Sequence, residues 1–181
     1  MRTEKMLTSA QIIRKRRLAA ETRQGYISLM IRVLVIAVIG WLLFTQVFFV
    51  GQAKGNDMFP AVKDGDLVIG FRLQKNYLKD DVIVYEADGE LHVGRILGRE
   101  SDVITMDDSG TLLVNGTVQG GEILFPTYAK EGIEYPYTVP EGSVFVLGDY
   151  RTQAEDSRNF GCISLEKVKA KVITILRRRE I

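Results

Sequence analysis

The first quarter of the chain has a hydrophobic pattern that differs from the rest. After Arg32, 18 residues up to Val50 carry no charge, which is about the length that a helix needs to cross a membrane. Basic residues precede this run at Arg14, Lys15, Arg16, Arg17 and Arg23. Because basic flanks stay on the cytoplasmic side, we expect a cytoplasmic tail over residues 1–25, a transmembrane helix over 26–50 and an extracellular domain over 51–181. The protein should cross the cell membrane once.

A cleaved signal peptide is the alternative to a retained anchor. Residues 51–53, Gly-Gln-Ala, weakly resemble a small-x-small cleavage site. The apolar run is longer than the roughly 7–15 residues of a signal-peptide core. The pattern therefore favours an anchor in which residues 26–50 contact lipid.

Beyond residue 51 the pattern changes to short apolar runs that are separated by turn signals such as Asp-Gly and Asn-Gly. Hairpins are predicted over residues 82–97 and 103–114, and a short helical turn around Leu165–Val168. The runs predicted to be strands are 67–71, 82–85, 92–97, 103–106, 112–114, 144–147 and 168–176. This spacing is typical of an antiparallel β-barrel or sandwich, so we predict a mainly β domain on one N-terminal helix.

Charge and cysteine content restrict the function of the outer region. Residues 1–50 carry eight basic and two acidic side chains, whereas residues 51–181 carry sixteen and twenty-one. A net acidic domain gives no electrostatic reason to expect nucleic acid as a partner. Cys162 is the only cysteine, so we interpret it as a buried structural thiol, with a Cys162–His92 pair as the alternative. The sequence contains no metal-ligand cluster or phosphate loop, and we expect no metal and no cofactor.

Four sequence blocks follow the anchor in a specific order. They are 55–60 (Gly-Asn-Asp-Met-Phe-Pro), 64–68 (Asp-Gly-Asp-Leu-Val), 92–98 (His-Val-Gly-Arg-Ile-Leu-Gly) with 111–116, and 147–151 (Leu-Gly-Asp-Tyr-Arg) with 156–161 (Asp-Ser-Arg-Asn-Phe-Gly). Together they resemble the bacterial signal peptidase I family. The resemblance implies a mainly antiparallel β domain on the outer membrane surface.

The residues that carry the chemistry of that family are replaced. In the family a serine attacks the scissile carbonyl, a lysine takes its proton, and a second serine holds the lysine. The matching positions here are Asp57 for the nucleophile, Gly94 for the base and Ala154 for the base-orienting serine. Loss of a nucleophile or base costs on the order of 10^6-fold in rate, and a carboxylate would repel the developing oxyanion. We therefore expect no catalytic residue and an inactive homologue of a serine endopeptidase.

Other chemistry at these positions is also open. His92 lies two residues before Gly94 on the same strand face, about 7 Å along the strand, and an Asp57–His92 acid/base pair is conceivable. Lys54 could form an ion pair with Asp57. We favour a non-catalytic polar residue at position 92. The alternative function is an active signal peptidase I-type endopeptidase that removes signal peptides by unorthodox chemistry.

In the family, the extended substrate lies between strands that correspond to residues 51–57 and 91–94. The predicted peptide-binding groove therefore contains Gly55, Asn56, Asp57, Met58, Leu91, His92, Val93 and Gly94. Extended peptides bind such edges through backbone hydrogen bonds, and a glycine at position 94 should open space in the groove floor. The last block should form a structural network through Asp149, Arg151, Asp156, Ser157 and Arg158.

The pairing of Asp57 with Gly94 is similar to one group of relatives, the catalytically inactive signal-peptidase-like proteins encoded with pilus subunits in Gram-positive streptococci. That similarity implies a non-catalytic accessory or chaperone in pilus assembly. Its partners would be the pilin backbone subunit and a sortase. A further alternative is a regulatory subunit that docks a true signal peptidase through its outer surface.

Overall fold

The computed structural model describes residues 9–120 and 125–177. The chain divides into two units between Thr45 and Gln46. Residues 1–8 of the predicted tail lie outside the described residues. The first unit is a helix, and the second is a β domain.

The long helix α1 covers Ser9–Val47. Its part from Glu21 to Val47 is long and apolar enough to cross a membrane, and none of its most apolar stretch is buried in the described protein. The helix starts earlier than the predicted span. It also ends earlier, because residues 48–50, predicted as the end of the span, belong to the first strand and pair with a second strand.

The β domain contains two antiparallel sheets in the described part of the chain. Two short helical segments, α2 at Ser157–Phe160 and a 3-10 turn at Leu165–Lys167, accompany them. The strands are β1 Phe48–Gln52, β2 Leu67–Phe71, β3 Val82–Ala87, β4 Glu90–Arg99, β5 Val103–Met106, β6 Leu112–Val114, β7 Thr117–Val118, β8 Tyr137–Thr138, β9 Ser143–Leu147, β10 Ile163–Ser164 and β11 Val168–Leu176.

The larger sheet has the order β1-β2-β11-β3-β4-β9-β10, and the smaller has the order β7-β6-β5-β8. Both predicted hairpins are present, as β3–β4 and β5–β6. The first turns at Asp88 and Gly89, which both have positive φ (49° and 81°), as a tight hairpin turn requires. The prediction of a mainly antiparallel β fold is confirmed.

Among the residues that the structure describes, three hydrophobic clusters hold the domain together, and one of them supports the site. The first lies around β3, β4 and β9, and the second lies between β9 and the smaller sheet. The third is formed by the buried residues Ala53, Met58, Val62, Val68 and Val84. It anchors the loop between β1 and β2, which carries position 57, onto the larger sheet. Burial of each of its larger side chains, Met58 and the three valines, contributes about 1.5–3 kcal/mol.

Candidate functional site

A cavity of about 460 Å³ lies between β1 and the first half of β4. One wall is formed by residues 49–54, and the other by Gly89, Glu90, Leu91 and Val93. Val68 of β2 and Val84 of β3 lie between the walls. The cavity therefore runs along two strands, as a site for an extended segment does.

Both walls of this groove have a strand edge without a partner strand among the described residues. β1 lies at the end of the larger sheet and pairs with β2 alone. β4 pairs with β3 over Glu90–Arg95, whereas β9 joins its other edge at Arg95. The outer edge of residues 90–94 is thus open. Open edges offer backbone N–H and C=O groups to an added strand.

The predicted groove residues fall into different places. Leu91 and Val93 line the cavity. Gly55, Asp57 and Met58 line a much smaller adjoining pocket of about 10 Å³, together with Lys54 and Val93. The side chain of Asn56 accepts a hydrogen bond from the backbone of Asp64 (3.3 Å), and so holds the loop. Gln52 of β1 also lines the larger cavity, as does Phe49, which was predicted to belong to the membrane helix.

The other face of β4 carries His92 and Gly94. The His92 ring stacks on Tyr85 at 5.6 Å between ring centroids and contacts the Phe160 ring at 5.1 Å. Cys162 instead packs against the second cluster, and burial raises the pKa of its thiol to about 11. The contacts favour a structural thiol over a Cys162–His92 pair.

Asp57 lies in the loop after β1, where its backbone carbonyl accepts a hydrogen bond from Tyr150 N (2.9 Å). Burial raises the pKa of its half-buried carboxyl. The backbone amide of Glu155 and the charge of His92 act in the opposite direction and lower this pKa. The carboxylates of Glu155 and Asp156 add to the upward shift. Asp57 therefore holds its proton more readily than an ordinary aspartic acid.

The structure shows no ion pair between Lys54 and Asp57 among the described residues. The two residues line the same small pocket. The salt bridges among the described residues do not include one between them.

The expectation that Gly94 opens space in the groove floor is wrong. A Cβ at this position would lie 2.5 Å from Val146 Cγ1 and 3.2 Å from Tyr85 Cε1. Both neighbours are buried. The volume into which a side chain at position 94 would extend is therefore filled by side chains from β9 and β3.

The other two predicted positions converge on Gly148, directly after β9. A Cβ on Gly148 would lie 2.3 Å from Ala154 Cβ and 2.5 Å from the carbonyl oxygen of Asp57. Ala154 is fully buried. The glycine is needed here because the loop of Asp57 and the loop of Ala154 approach the same backbone.

The last block forms a buried polar network beside these loops. Arg158 donates to both carboxylate oxygens of Asp156, at 2.9 and 2.8 Å. The same carboxylate accepts from the backbone of Gly148 (3.1 Å). The hydroxyl of Ser157 accepts from Val146 N (2.9 Å). These bonds fix the end of β9 relative to α2, whose first turn Asp156 caps.

Two further residues extend the network. Asp149 forms a two-point salt bridge with Arg95, at 2.9 and 2.7 Å. Buried Arg151 donates to Gly148 O (2.8 Å) and to the hydroxyl of Thr127 (2.7 Å). Burial lowers the pKa of Arg151 to about 10. All five residues of the predicted network thus form hydrogen bonds in this region, and their bracing role stays a prediction.

Sequence reasoning missed one ionisable residue of this region. Lys130 belongs to the segment between β7 and β8, outside all four blocks. Its ammonium donates to the carbonyl oxygen of Ala154 (2.6 Å) and to Asn159 Oδ1 (2.8 Å). No local motif marks this lysine, since only the fold brings it to Ala154.

Proteins similar to this chain carry the names of processing enzymes. The probable thylakoidal processing peptidase 2 of Arabidopsis thaliana is 32% identical over 127 residues, which are 61% of this chain and 33% of that protein. Signal peptidase I of Bacillus licheniformis is 29% identical over 154 residues, 76% of this chain and 82% of its own length. Signal peptidase IB of Staphylococcus aureus is 27% identical over 173 residues, 84% and 87% of the two chains. The chain spans about a third of the length of the Arabidopsis relatives.

A solved structure of a signal peptidase I from Enterococcus faecalis V583 is also similar. It is 28% identical in sequence and matches with a TM-score of 0.46. The match covers 55% of this chain and 98% of that one.

These names contradict the prediction that the chain is not an enzyme, and they point toward peptidase activity. That prediction rested on the missing Ser/Lys pair and favoured a non-catalytic His92 over an Asp57–His92 acid/base pair. The site retains Asp57 with a raised pKa, caused mainly by burial, and His92 close enough to act on it electrostatically. The prediction of an inactive homologue is therefore corrected. The narrower similarity to pilus-associated proteins stays a prediction.

The sequence pattern of the signal peptidase family, peptidase S26, matches residues 25–176. This range runs from the apolar part of α1 to the end of β11. The chain therefore belongs to the signal peptidase family, peptidase S26.

Proposed function

We propose that this chain is a membrane-anchored endopeptidase of the signal peptidase I type, which cleaves an extended segment of an exported protein with Asp57 in place of the Ser/Lys pair. The observation that carries the proposal is the groove between two open strand edges, with Asp57 in the pocket that adjoins it. In this proposal α1 anchors the protein in the cell membrane. Its basic N-terminal part stays in the cytoplasm, and the β domain faces outward.

The groove supports binding of the substrate as an added strand. The open edges of β1 and residues 90–94 would both donate to and accept from the substrate backbone. The large cavity accommodates a bulky apolar side chain, because Phe49, Val68 and Val84 line it. The small pocket beside Asp57 leaves room only for a small side chain. The proposed substrate is therefore an extended peptide with a small residue next to the cleaved bond.

The chemistry that fits Asp57 is general acid–base hydrolysis. The carboxylate takes a proton from a water molecule as the water oxygen attacks the peptide carbonyl. The resulting carboxylic acid then returns this proton to the leaving nitrogen when the C–N bond breaks. A raised pKa makes the carboxylate a stronger base than an ordinary aspartate. His92 stabilises the ionised form through its charge.

General acid–base catalysis by Asp57 would accelerate the reaction only moderately. General acid–base catalysis contributes about 10²–10⁴-fold in rate, less than the roughly 10^6-fold associated with a complete serine-protease nucleophile and base. Turnover should therefore be slow in comparison with a Ser/Lys enzyme, and it should require long incubation.

The test uses the full chain in detergent micelles, incubated with signal-peptide-bearing preproteins and analysed by mass spectrometry. We expect a single cleavage site and at least a 100-fold loss of rate in Asp57→Asn, because an amide cannot accept the proton. Asp88→Asn is the matched control, since Asp88 is an exposed aspartate in the β3–β4 turn. Absence of cleavage by the wild-type chain, or equal rates for wild type and Asp57→Asn, would refute the proposal.

The groove also supports a second role, capture of a surface-protein segment, because strand addition needs no chemistry at position 57. The pilin backbone subunit and a sortase are the partners that the sequence resemblance implies. A photoreactive residue at Leu91, an exposed position on the groove wall, should crosslink pilin in cells that make pili. Labelling restricted to Leu78, an exposed site outside the groove, would count against this role and favour docking through the outer surface.

A further inference from the structure

Three aromatic side chains lie together beside the loop that carries Asp57. The Tyr150 ring contacts the Phe59 ring at 5.8 Å between ring centroids and the Phe125 ring at 4.8 Å. Both pairs are tilted, by 51° and 43°, an arrangement that neighbouring aromatic rings favour over a face-to-face stack. We call Phe59, Phe125 and Tyr150 the aromatic cluster. None of its members belongs to the three hydrophobic core clusters that the described residues form.

Backbone hydrogen bonds hold two of these rings next to the proposed reacting group. The N–H of Tyr150 donates to the carbonyl oxygen of Asp57 at 2.9 Å. Phe59 follows Asp57 by two residues, and its N–H donates to the carbonyl oxygen of Asn56 at 2.9 Å. The position of the aromatic cluster relative to the loop of Asp57 is therefore fixed by the backbone.

The aromatic cluster continues the path of the groove beyond Asp57. Residues 49–54 form one wall of the large cavity, and the small pocket that adjoins it includes Asp57 and Met58. Phe59 comes next along the same stretch of chain. An extended segment advances about 3.3 Å per residue. If it follows this wall past Asp57, its next residues therefore reach the aromatic cluster.

The surface of the aromatic cluster is open to a ligand. Phe59 is 37% exposed, and Phe125 and Tyr150 are both partly exposed. Apolar surface that stays exposed and is bordered by polar residues marks an interaction site. The Lys63 ammonium lies 5.8 Å from the centroid of the Phe59 ring. This cation–π contact leaves a second cation repelled, so the surface fits an uncharged apolar or aromatic side chain.

We propose that the aromatic cluster binds a large apolar or aromatic side chain of the peptide, at one of the two residues beyond the cleaved bond on the side away from the groove. The inference deepens the proposed function and rests on it, because the groove sets the path of the peptide. Each aromatic contact should tighten binding by roughly 2–12-fold. Phe59 and Tyr150 are then specificity-determining residues.

A purely structural role for the rings predicts a different result. In that case they would only pack the loop of Asp57 against the loop after β9. Their replacement would lower stability and would weaken the binding of every peptide to the same degree. The ratio of the affinities of two peptides for the same variant does not depend on the folded fraction, and it therefore separates the two roles.

The test measures binding of three fluorescein-labelled peptides to full-length Asp57→Asn in detergent micelles by fluorescence anisotropy. This variant prevents cleavage during the measurement. The peptides share a bulky apolar residue and a small residue for the two pockets. They differ only in the two residues on the other side of the small one, which are Phe-Phe, Ala-Ala or Lys-Lys. We expect Phe-Phe to bind more tightly than Ala-Ala, and Lys-Lys to bind most weakly.

Substitutions in the same chain then assign the preference to the rings. Phe59→Ala and Tyr150→Ala should each bring the ratio of the Phe-Phe and Ala-Ala affinities toward one. Tyr150→Phe keeps the ring and should retain the ratio. Lys63→Met should reduce the discrimination against Lys-Lys. Leu73→Ala, which removes an exposed apolar side chain outside the groove, is the control and should leave all three affinities unchanged.

Equal affinities for Phe-Phe and Ala-Ala, or no binding of any of the three peptides, would overturn the inference. A ratio that Phe59→Ala and Tyr150→Ala both leave unchanged would also overturn it. If the wild-type chain cleaves preproteins without preference for apolar residues beyond the bond, the proposed function stands and the inference fails. If the affinity ratio depends on both rings and the wild-type chain cleaves nothing, the proposed function fails and the peptide-binding role of the aromatic cluster stands.

Discussion

The packing around Gly94 predicts that even one added methyl group is costly there. In Gly94→Ala the new Cβ would lie 2.5 Å from Val146 Cγ1, whereas carbon atoms in contact are about 3.5–4.0 Å apart. Val146 is fully buried and Tyr85 nearly so, so neither moves freely. Overpacking of this kind costs about 1–3 kcal/mol. The lower chain entropy of alanine offsets about 0.4–1 kcal/mol of this cost, which leaves a net loss of about 1.3 kcal/mol at the midpoints of the two ranges.

The free energy of unfolding is measured by urea titration of the full chain in micelles, followed by the β signal in circular dichroism. Gly120→Ala is the matched control, because a Cβ there meets no described atom within 4 Å, and we expect no loss but the same entropic gain of about 0.4–1 kcal/mol. The double variant Gly94→Ala with Val146→Ala removes the clashing methyl group. Its cost should be less than the sum of the two single costs by about 0.5–3 kcal/mol.

Equal costs for Gly94→Ala and Gly120→Ala would refute the reasoning, as would strict additivity in the double variant. The space at position 94 would then be open. In that case Gly94→Lys, combined with Asp57→Ser and Ala154→Ser, should rebuild a Ser/Lys pair in the folded chain. With the packing as described, Gly94→Lys should instead destabilise the domain more than Gly94→Ala.

Two further predictions concern the charged groups. Asp156→Ala leaves the buried guanidinium of Arg158 without its carboxylate and should lower the free energy of unfolding by about 3–5 kcal/mol. Glu86→Ala, which breaks an exposed ion pair, should cost far less, because solvent screens that pair. Comparable losses in urea titrations would contradict this. Because the pKa of Asp57 is raised, mainly by burial, its contribution to stability is present at low pH and is lost as the pH rises through the folded-state pKa. The stability difference between Asp57→Asn and wild type should therefore shift in favour of the variant from pH 3.5 to pH 7, and a constant difference would argue against it.

Local turn chemistry made the hairpins predictable. Asp88 and Gly89 adopt the positive φ angles of a tight turn, and the alternating runs on either side mark β3 and β4. The start of β1 could not be predicted from a turn signal or an alternating pattern. Phe48 continues the apolar run of α1, and only its pairing with Phe71 of β2 places it in a strand. A hydrophobic run does not show where helical hydrogen bonds give way to strand pairing with a distant segment.

Motif positions located the site but did not reveal its packing. Asp57 and Ala154 could be matched from sequence because each stands at a fixed distance from a recognisable block. The space beside Gly94 depends on Val146 and Tyr85, which come from two other strands. Lys130 lies 24 residues before Ala154, so no local pattern links them. Tertiary packing determines the chemistry that surrounds the motif positions.

The place of β11 in the larger sheet sets the order in which the domain can be completed. This strand lies between β2 and β3, so the two groove walls are not joined in one sheet until residues 168–176 have been synthesised. Synthesis adds about 5–20 residues per second, so β11 follows β2 after on the order of 5–20 s. Until then β2 can pair only with β1. During this interval β2 and β3 both present open edges, which favour pairing with other chains. A nascent chain still in transit across the membrane therefore has no finished groove, and truncation before residue 168 should yield aggregates rather than a smaller functional domain.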